Sequence, residues 1–294
     1  MHSPLPIRDG VAASYLWIPE GQWENLLTFL IRQFPDIERR IWQTRILKNE
    51  VVDQNGTPLQ ENSPVRRGMC IFYYRELETE TPIPFQEKIL HSDEHLLVVD
   101  KPHFLPVTPG GRFLHETLLV RLKKVTGLEH LTPIHRLDRE TAGIILFSHN
   151  PATRGRYQSL FQQRNIQKTY HAVAPALPER SFPFTYCSRM EESPRFFVMH
   201  EVPGVANSET RIDIVETRGA LNLYRLMPVT GKKHQLRVHM HSLGAPIVND
   251  GFYPDVLPGY NDDFSKPLQL LAKAIAFDDP LSGIRRYYES DKSL

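Results

Sequence analysis

The stretch Pro133–Phe147, PIHRLDRETAGIILF, holds a single aspartate, Asp138, placed between Arg136 and Arg139 at the mouth of an apolar run. Guanidinium neighbours lower a carboxyl pKa, typically by about 1–3 units, so this carboxylate is expected to be ionised at neutral pH. An ionised carboxylate suits a nucleophile or an electrostatic stabiliser and makes a poor general acid. The same residues fit an aspartate that ties a loop down through ion pairs, and spacing alone leaves both readings open.

A second stretch, Thr230–Pro246, reads TGKKHQLRVHMHSLGAP. Leu236, Met240 and Leu243 follow helical spacing, with Gly244 and Pro246 as stop signals, which predicts a helix with Thr230 near its start. Such a helix aligns His234, Arg237 and His241 on one face. It also sets Gly231, Lys232 and Lys233 at its N-terminal end, where backbone N–H groups and the dipole favour phosphate. Arg237 is then a candidate partner for Asp138, although a solvated basic face is the plainer reading. His239 and His241 invite a metal reading, but helical residues two apart point about 200° away from each other. With no acidic or cysteine ligand nearby, no metal is expected. Tyr170, in KTYHAVA, offers a ring that could stack on a base or simply pack in a strand. A dinucleotide-binding glycine motif, a P-loop, a GxSxG elbow and a zinc-binding cysteine set are all missing from the sequence.

The 294 residues and 40% apolar content suit a main domain with a smaller module. No apolar run approaches the roughly 18 residues of a membrane span, and the first residues do not read as a secretory signal. Cys70 and Cys187 are too few and too separated for a disulfide framework, so a soluble cytoplasmic protein is expected. The net charge of +1 conceals an asymmetry: residues 112–171 hold ten Lys/Arg against four Asp/Glu, and residues 211–241 hold six against two. These segments suit a polyanion-binding face if they meet in space, or basic residues scattered over a solvated surface if they do not.

Residues 1–20 are Pro-rich and read as irregular. From Gln22 the positions of Trp23, Leu26, Leu27, Leu30 and Phe34 predict a helix ended by Pro35, with Asp36 capping a second one. VVDQNGTPL reads as a strand turning at Asn55-Gly56, and RRGMCIFYYREL as another strand. ETETPIPFQE reads as a linker. Beyond it come a buried strand in HLLVVDKP, a helix ended by Gly127, a strand in GIILF, and a helix capped by Asn150 and begun by Pro151. KTYHAVAPA is a strand, and SETRIDIVETRGALNLYRLMPV a hairpin turning near Arg218-Gly219. Strands and helices mix without a βαβ rhythm, so the fold class is α+β with a mixed, mainly antiparallel sheet. The expected division is an accessory module with linker over 1–84 and a main domain over 85–294.

The stretches HLLVVDKPHFLPVTPGG, HRLDRETAGIILFS, KTYHAVA and PVTGKKHQLRVHMHSLGAPIVND resemble, in order and spacing, the RluA-type pseudouridine synthases across roughly Ile89–Pro280. That resemblance implies an enzyme that isomerises uridine to pseudouridine in ribosomal or transfer RNA, with no cofactor; the residues themselves lead to the expectation of no metal and no membrane, and a monomer is expected. The resemblance makes Asp138 the catalytic aspartate, Tyr170 the ring against the target base, and Arg237 the partner of Asp138. Arg136 would help fill the space left by the flipped nucleotide, and Arg139, Lys168, Lys232, Lys233 and His234 would contact RNA. The N-terminal unit is similar, more loosely, to a small RNA-binding module, and can equally be a buttress for the core. Two departures stand out. Leu271 replaces a histidine common in the family, and His103-Phe104 replaces a small residue and a glycine. An RNA-binding or chaperone-like protein on the same fold, and a metal-dependent hydrolase using His239 and His241, are the competing functions.

Overall fold

The computed structural model describes residues 3–77, 79–194, 198–256 and 263–294. The chain opens with β1 (Ser14–Trp17), α1 (Leu26–Gln33), α2 (Arg39–Leu47), β2 (Val51–Asp53) and β3 (Cys70–Tyr73), and its three strands form an antiparallel sheet in the order β1-β3-β2. Leu26, Phe29 and Leu30 of α1 and Trp42 and Ile46 of α2 bury one face of each helix against Ile18, Val51 and Ile71, giving this unit its own core. Two local expectations change. Helix α1 starts at Leu26, because the Asn25 side chain accepts the Thr28 N–H and fixes the cap there. Asp36 does not cap α2: a turn closed by Ile37 N–H on the Phe34 carbonyl holds Asp36 ahead of the helix, and Glu38 takes the cap position. Of the arginines in this unit, Arg45 is buried with its guanidinium 4.8 Å from the Trp42 ring centre.

The second unit comprises β4 (Lys88–Ser92), β5 (Leu96–Lys101), α3 (Leu118–Thr126), β6 (Thr132–Pro133), β7 (Ala142–Ser148), α4 (Pro151–Gln162), β8 (Gln167–Pro175), β9 (Phe184–Glu192), β10 (Met199–Val202), β11 (Ser208–Arg218), β12 (Leu221–Pro228), α5 (Gln235–Ser242), β13 (Leu270–Asp278) and β14 (Arg285–Glu289). Among the described residues these strands form one 11-stranded sheet, running β10-β9-β11-β12-β8-β13-β7-β5-β4, with β14 beside β13 and β6 beside β7. All pairings are antiparallel except β13 with β7. The fold is α+β.

Strand β13 joins the Asp138 loop to the strand of Tyr170, because Ala272 lies opposite Gly143 of β7 on one side and Tyr170 of β8 on the other. Gly143 has φ +112°, and a Cβ there would collide with the Ala272 carbonyl. Only glycine permits this approach. The loop that feeds β7 is thereby brought close to Tyr170. Leu271 is fully buried on β13, in keeping with its apolar character.

The segment read as a linker is fixed rather than loose; its first residue, 78, lies outside the described residues. Ile83 is buried in the main core, Phe85 packs against it, and Arg121 of α3 donates to the carbonyls of Ile83 and Phe85 at 2.6 and 2.8 Å. The polar, proline-containing composition hides two apolar anchors. One of them accounts for a departure in the loop after β5. Phe104 adopts φ +66°, a conformation that favours glycine, and its buried ring stacks against Phe85 at 5.9 Å. Burial of an aromatic ring offsets the backbone strain of about 1–2 kcal/mol at such a position.

Candidate active site

Helix α5 begins at Gln235, not near Thr230. The Gln235 side chain accepts from the Lys232 N–H and the Thr230 hydroxyl and donates to the Glu209 carbonyl, holding residues 230–233 as a turn against β11. His234 follows in the left-handed region, φ 53°. This kink aims His234 and Arg237 inward at Asp138 while Lys232 and Lys233 stay exposed on the turn.

Arg237 is 1% exposed and stands among three carboxylates. Its Nε and Nη2 donate to Asp250 Oδ2 and Oδ1 at 2.8 and 2.6 Å, and its Nη1 donates to Asp138 Oδ2 at 3.3 Å. Glu140 Oε2 lies 3.8 Å from the same Nη1. The Asp250 carboxylate is itself held by the N–H groups of Phe252 and Tyr253, which it accepts at 2.8 and 3.2 Å. Burial lowers the tendency of the Arg237 guanidinium to stay charged, but Asp250 chiefly, then Asp138 and Glu140, outweigh it and raise the pKa.

Asp138 keeps 28% of its side chain exposed. Burial pushes its carboxyl up; the charges of His234 and Arg237, the Arg237 hydrogen bond and Lys101 outweigh that and hold it below its ordinary value. His234 is itself pushed down to about 4 by burial. It is therefore neutral near pH 7, and the lasting cationic support comes from Arg237. Lys101 is fully buried and donates to the carbonyls of Pro102, Leu105 and Arg139 at 3.0, 2.8 and 3.0 Å. Burial pushes it down to about 7, so its help to Asp138 grows as the medium becomes more acidic. The carboxylate is ionised, as its sequence neighbours imply, but through other cations. Arg136 is exposed, and Arg139 donates to the Phe104 carbonyl, pairs with Glu140 at 3.6 Å and packs on the Phe113 ring.

Asp138 sits in a cavity of about 1740 Å³ also lined by Tyr170, Arg112, Phe113, Arg136, Arg164, Lys168, Lys232 and Lys233. Pockets for small molecules run to about 300–1,000 Å³, so this space suits a macromolecular substrate better. Both basic segments contribute to it, so they do meet in space. Tyr170 is held protonated, since burial first and the Asp138 charge second raise its phenol pKa. Burial and Arg164 push Lys168 down to about 8.

Residues 95–242, half of the chain and all of the Asp138, Tyr170 and Arg237 elements, match the family model described as RNA pseudouridylate synthase. This chain belongs to that family. It is 33% identical over 198 residues to the dual-specificity RNA pseudouridine synthase RluA of Vibrio cholerae, covering 66% of this chain and 78% of that one. It is 36% identical over 213 residues to the human pseudouridylate synthase RPUSD2, covering 70% of this chain but only 38% of that longer relative. The structure of human RNA pseudouridylate synthase domain containing 1 shares the fold, with a TM-score of 0.59 at 22% identity, over 73% of this chain and 86% of that one. As a family member the chain is an RNA pseudouridine synthase, an isomerase acting on RNA.

The structure gathers Asp138, Arg237 and His234 at one point and puts Tyr170, Arg136, Lys168, Lys232 and Lys233 around the same cavity. Arg139 and His234, read as RNA contacts, are engaged internally: His234 is buried, with Nδ1 2.9 Å from the Tyr253 hydroxyl and Nε2 3.9 Å from Asp138. His239 and His241 part company. His239 is buried with Thr210 and Ser208 at 3.0 and 2.9 Å, while His241 lies beside Tyr253. Sequence reasoning missed Asp250, Glu140 and Lys101. A lysine inside the apolar strand HLLVVDKP was the usable signal for Lys101, since buried lysines demand partners. Asp250 carried no signal beyond its nearness to the motif.

Proposed function

We propose that this pseudouridine synthase acts on particular uridines in structured ribosomal or transfer RNA, with Asp138 as its catalytic carboxylate. The observation that carries the reading is an ionised, partly open Asp138, held by Arg237 at the floor of a large basic cavity. A uridine in a folded RNA reaches such a floor only by leaving its stack, which costs a few kcal/mol. Phosphate contacts from Arg112, Arg136, Arg164, Lys168, Lys232 and Lys233 offset that cost.

In the cavity the base packs on the Tyr170 ring. The bond between N1 and C1′ breaks, its electron pair staying on the uracil, with Asp138 stabilising or attacking the electron-poor centre; the uracil turns, C5 bonds to C1′, and the C5 proton leaves while N1 takes one up. Tyr170 is protonated at rest, so its hydroxyl serves this last transfer as a relay rather than as a standing phenolate. Arg237 keeps Asp138 charged and aimed, and Asp250 keeps Arg237 aimed. Membership of the family and the ionised carboxylate both favour catalysis over a purely RNA-binding role.

Pseudouridine mapping tests the substrate. Purified protein is incubated with unmodified ribosomal and transfer RNA transcripts, and pseudouridine is located by carbodiimide labelling and primer extension. A new stop names the uridine. Stops absent from every ribosomal and transfer transcript would contradict the substrate class.

A further inference from the structure

Glu80, in the strap between the two sheets, accepts three successive backbone N–H groups from a loop more than thirty residues away in sequence. Leu114 and Glu116 donate to Oε1 at 2.6 and 2.8 Å, and His115 to Oε2 at 2.9 Å. Successive N–H groups converging on one point make an anion site, and here a carboxylate of the same chain fills it. Glu116 answers in the opposite direction, accepting the Ile83 N–H of the strap at 2.9 Å. The other end of that loop, Gly110–Phe113, lines the catalytic cavity. Arg112 lies over the Phe113 ring at 5.3 Å, and Arg139, next to the catalytic aspartate in sequence, lies over the same ring at 4.9 Å. The N-terminal unit touches this loop too: Arg75 donates to the Gly111 carbonyl, and Val11 packs against Leu114.

The strap does not need Glu80 for its own anchoring, because Ile83, Phe85 and Arg121 already fix it to the core. The three bonds to Glu80 instead order the loop. We infer that Glu80 is a positioning residue for RNA engagement, fixing residues 110–116 so that the exposed Arg112, seated over the buried Phe113 ring, meets the RNA in the cavity. This inference rests on the RNA-modifying role proposed above.

The test uses the full chain with Glu80→Ala and Glu80→Gln, reading steady-state pseudouridine formation on ribosomal and transfer RNA transcripts together with amide hydrogen exchange. For Glu80→Ala, KM rises about tenfold while kcat stays within about threefold of wild type, as expected when binding contacts alone are lost. Exchange at Leu114, His115 and Glu116 quickens while that of β5 and β7 does not change. Glu80→Gln, which keeps acceptor oxygen without charge, falls between. An unchanged KM, or a fall in kcat alone, overturns the inference, the latter marking a merely structural loss. If Glu80→Ala does not fold, Glu80→Gln decides: a KM rise accompanied by faster exchange at 114–116 supports the positioning role, and an unaltered KM overturns it. Wild-type protein that forms no pseudouridine contradicts the functional reading separately, and transcript Kd then replaces KM with the same two outcomes.

Discussion

Arg237 grips Asp250 with two nitrogens, at 2.8 and 2.6 Å, and reaches Asp138 with one, at 3.3 Å. Asp250, not Asp138, is the firm anchor. A bidentate bond fixes both the position and the plane of the guanidinium, leaving Nη1 pointed at Asp138 with little freedom to wander. The looser, partly open contact leaves Asp138 able to engage a substrate.

Replacing Asp250 therefore damages both stability and activity. Asp250→Ala strands a buried guanidinium, and removing one partner of a buried pair costs about 3–5 kcal/mol, to be read from denaturant unfolding. The freed Arg237 also lets Asp138 shift, and a misplacement of about 1 Å lowers turnover about a hundredfold in single-turnover assays. Loss of stability with an unaltered rate in the folded fraction would contradict the positioning role.

Mild acid should leave the ionised state of Asp138 untouched. The folded Asp138 carboxyl lies below its ordinary 3.8, so its stabilising charge is fully present above that value and is lost only as pH falls through the lower folded one. The single-turnover rate is predicted to be flat from pH 7 down to about 5, well above the ordinary carboxylate range. A fall in rate with a midpoint at about 5 would mean that Asp138 is not held ionised, whereas a change near 7 would report Lys101.

The alkaline side belongs to Lys168. Its folded value of about 8 means that positive charge leaves the cavity as pH rises through 8. RNA affinity is predicted to weaken across that step, and Lys168→Arg to remove the step by keeping a charge that does not titrate there. Filter binding from about pH 7 to 9.5 checks this, a range that brackets the folded value and approaches the ordinary lysine one. Identical profiles for the two proteins would contradict it.

The loop, strand and helix that carry Asp138, Tyr170 and Arg237 are legible in the sequence from spacing, whereas the roles proposed for these residues come from the family resemblance of the stretches that hold them. The apolar runs around them make an α+β sheet readable. Glu80 and Asp250 were invisible because a lone carboxylate carries no mark of the N–H groups or guanidinium that will meet it in the fold. The start of α5 escapes for a related reason. The periodicity of Leu236, Met240 and Leu243 fixes the body of the helix, but Gln235 binding across to β11 fixes where it begins. Likewise β1 is obscured by surrounding prolines and emerges only through pairing with β3.

The ring and the hydroxyl of Tyr170 can be separated. Tyr170→Phe keeps the platform and should bind RNA within about threefold of wild type while turnover falls about a hundredfold, the scale of one lost proton-transfer group. Tyr170→Leu should lose affinity as well, since base stacking on an aromatic ring contributes about 1–3 kcal/mol. Full turnover in Tyr170→Phe would remove the hydroxyl from the mechanism.

We propose that the Asp138 carboxylate performs the isomerisation. Its most direct test is tritium release from RNA carrying uridine labelled at C5, since the C5 proton leaves only if the base is rejoined through that carbon. Wild-type protein should release tritium, and Asp138→Asn should release none while binding the same RNA with nearly unaltered affinity. Sustained release by Asp138→Asn would contradict the account.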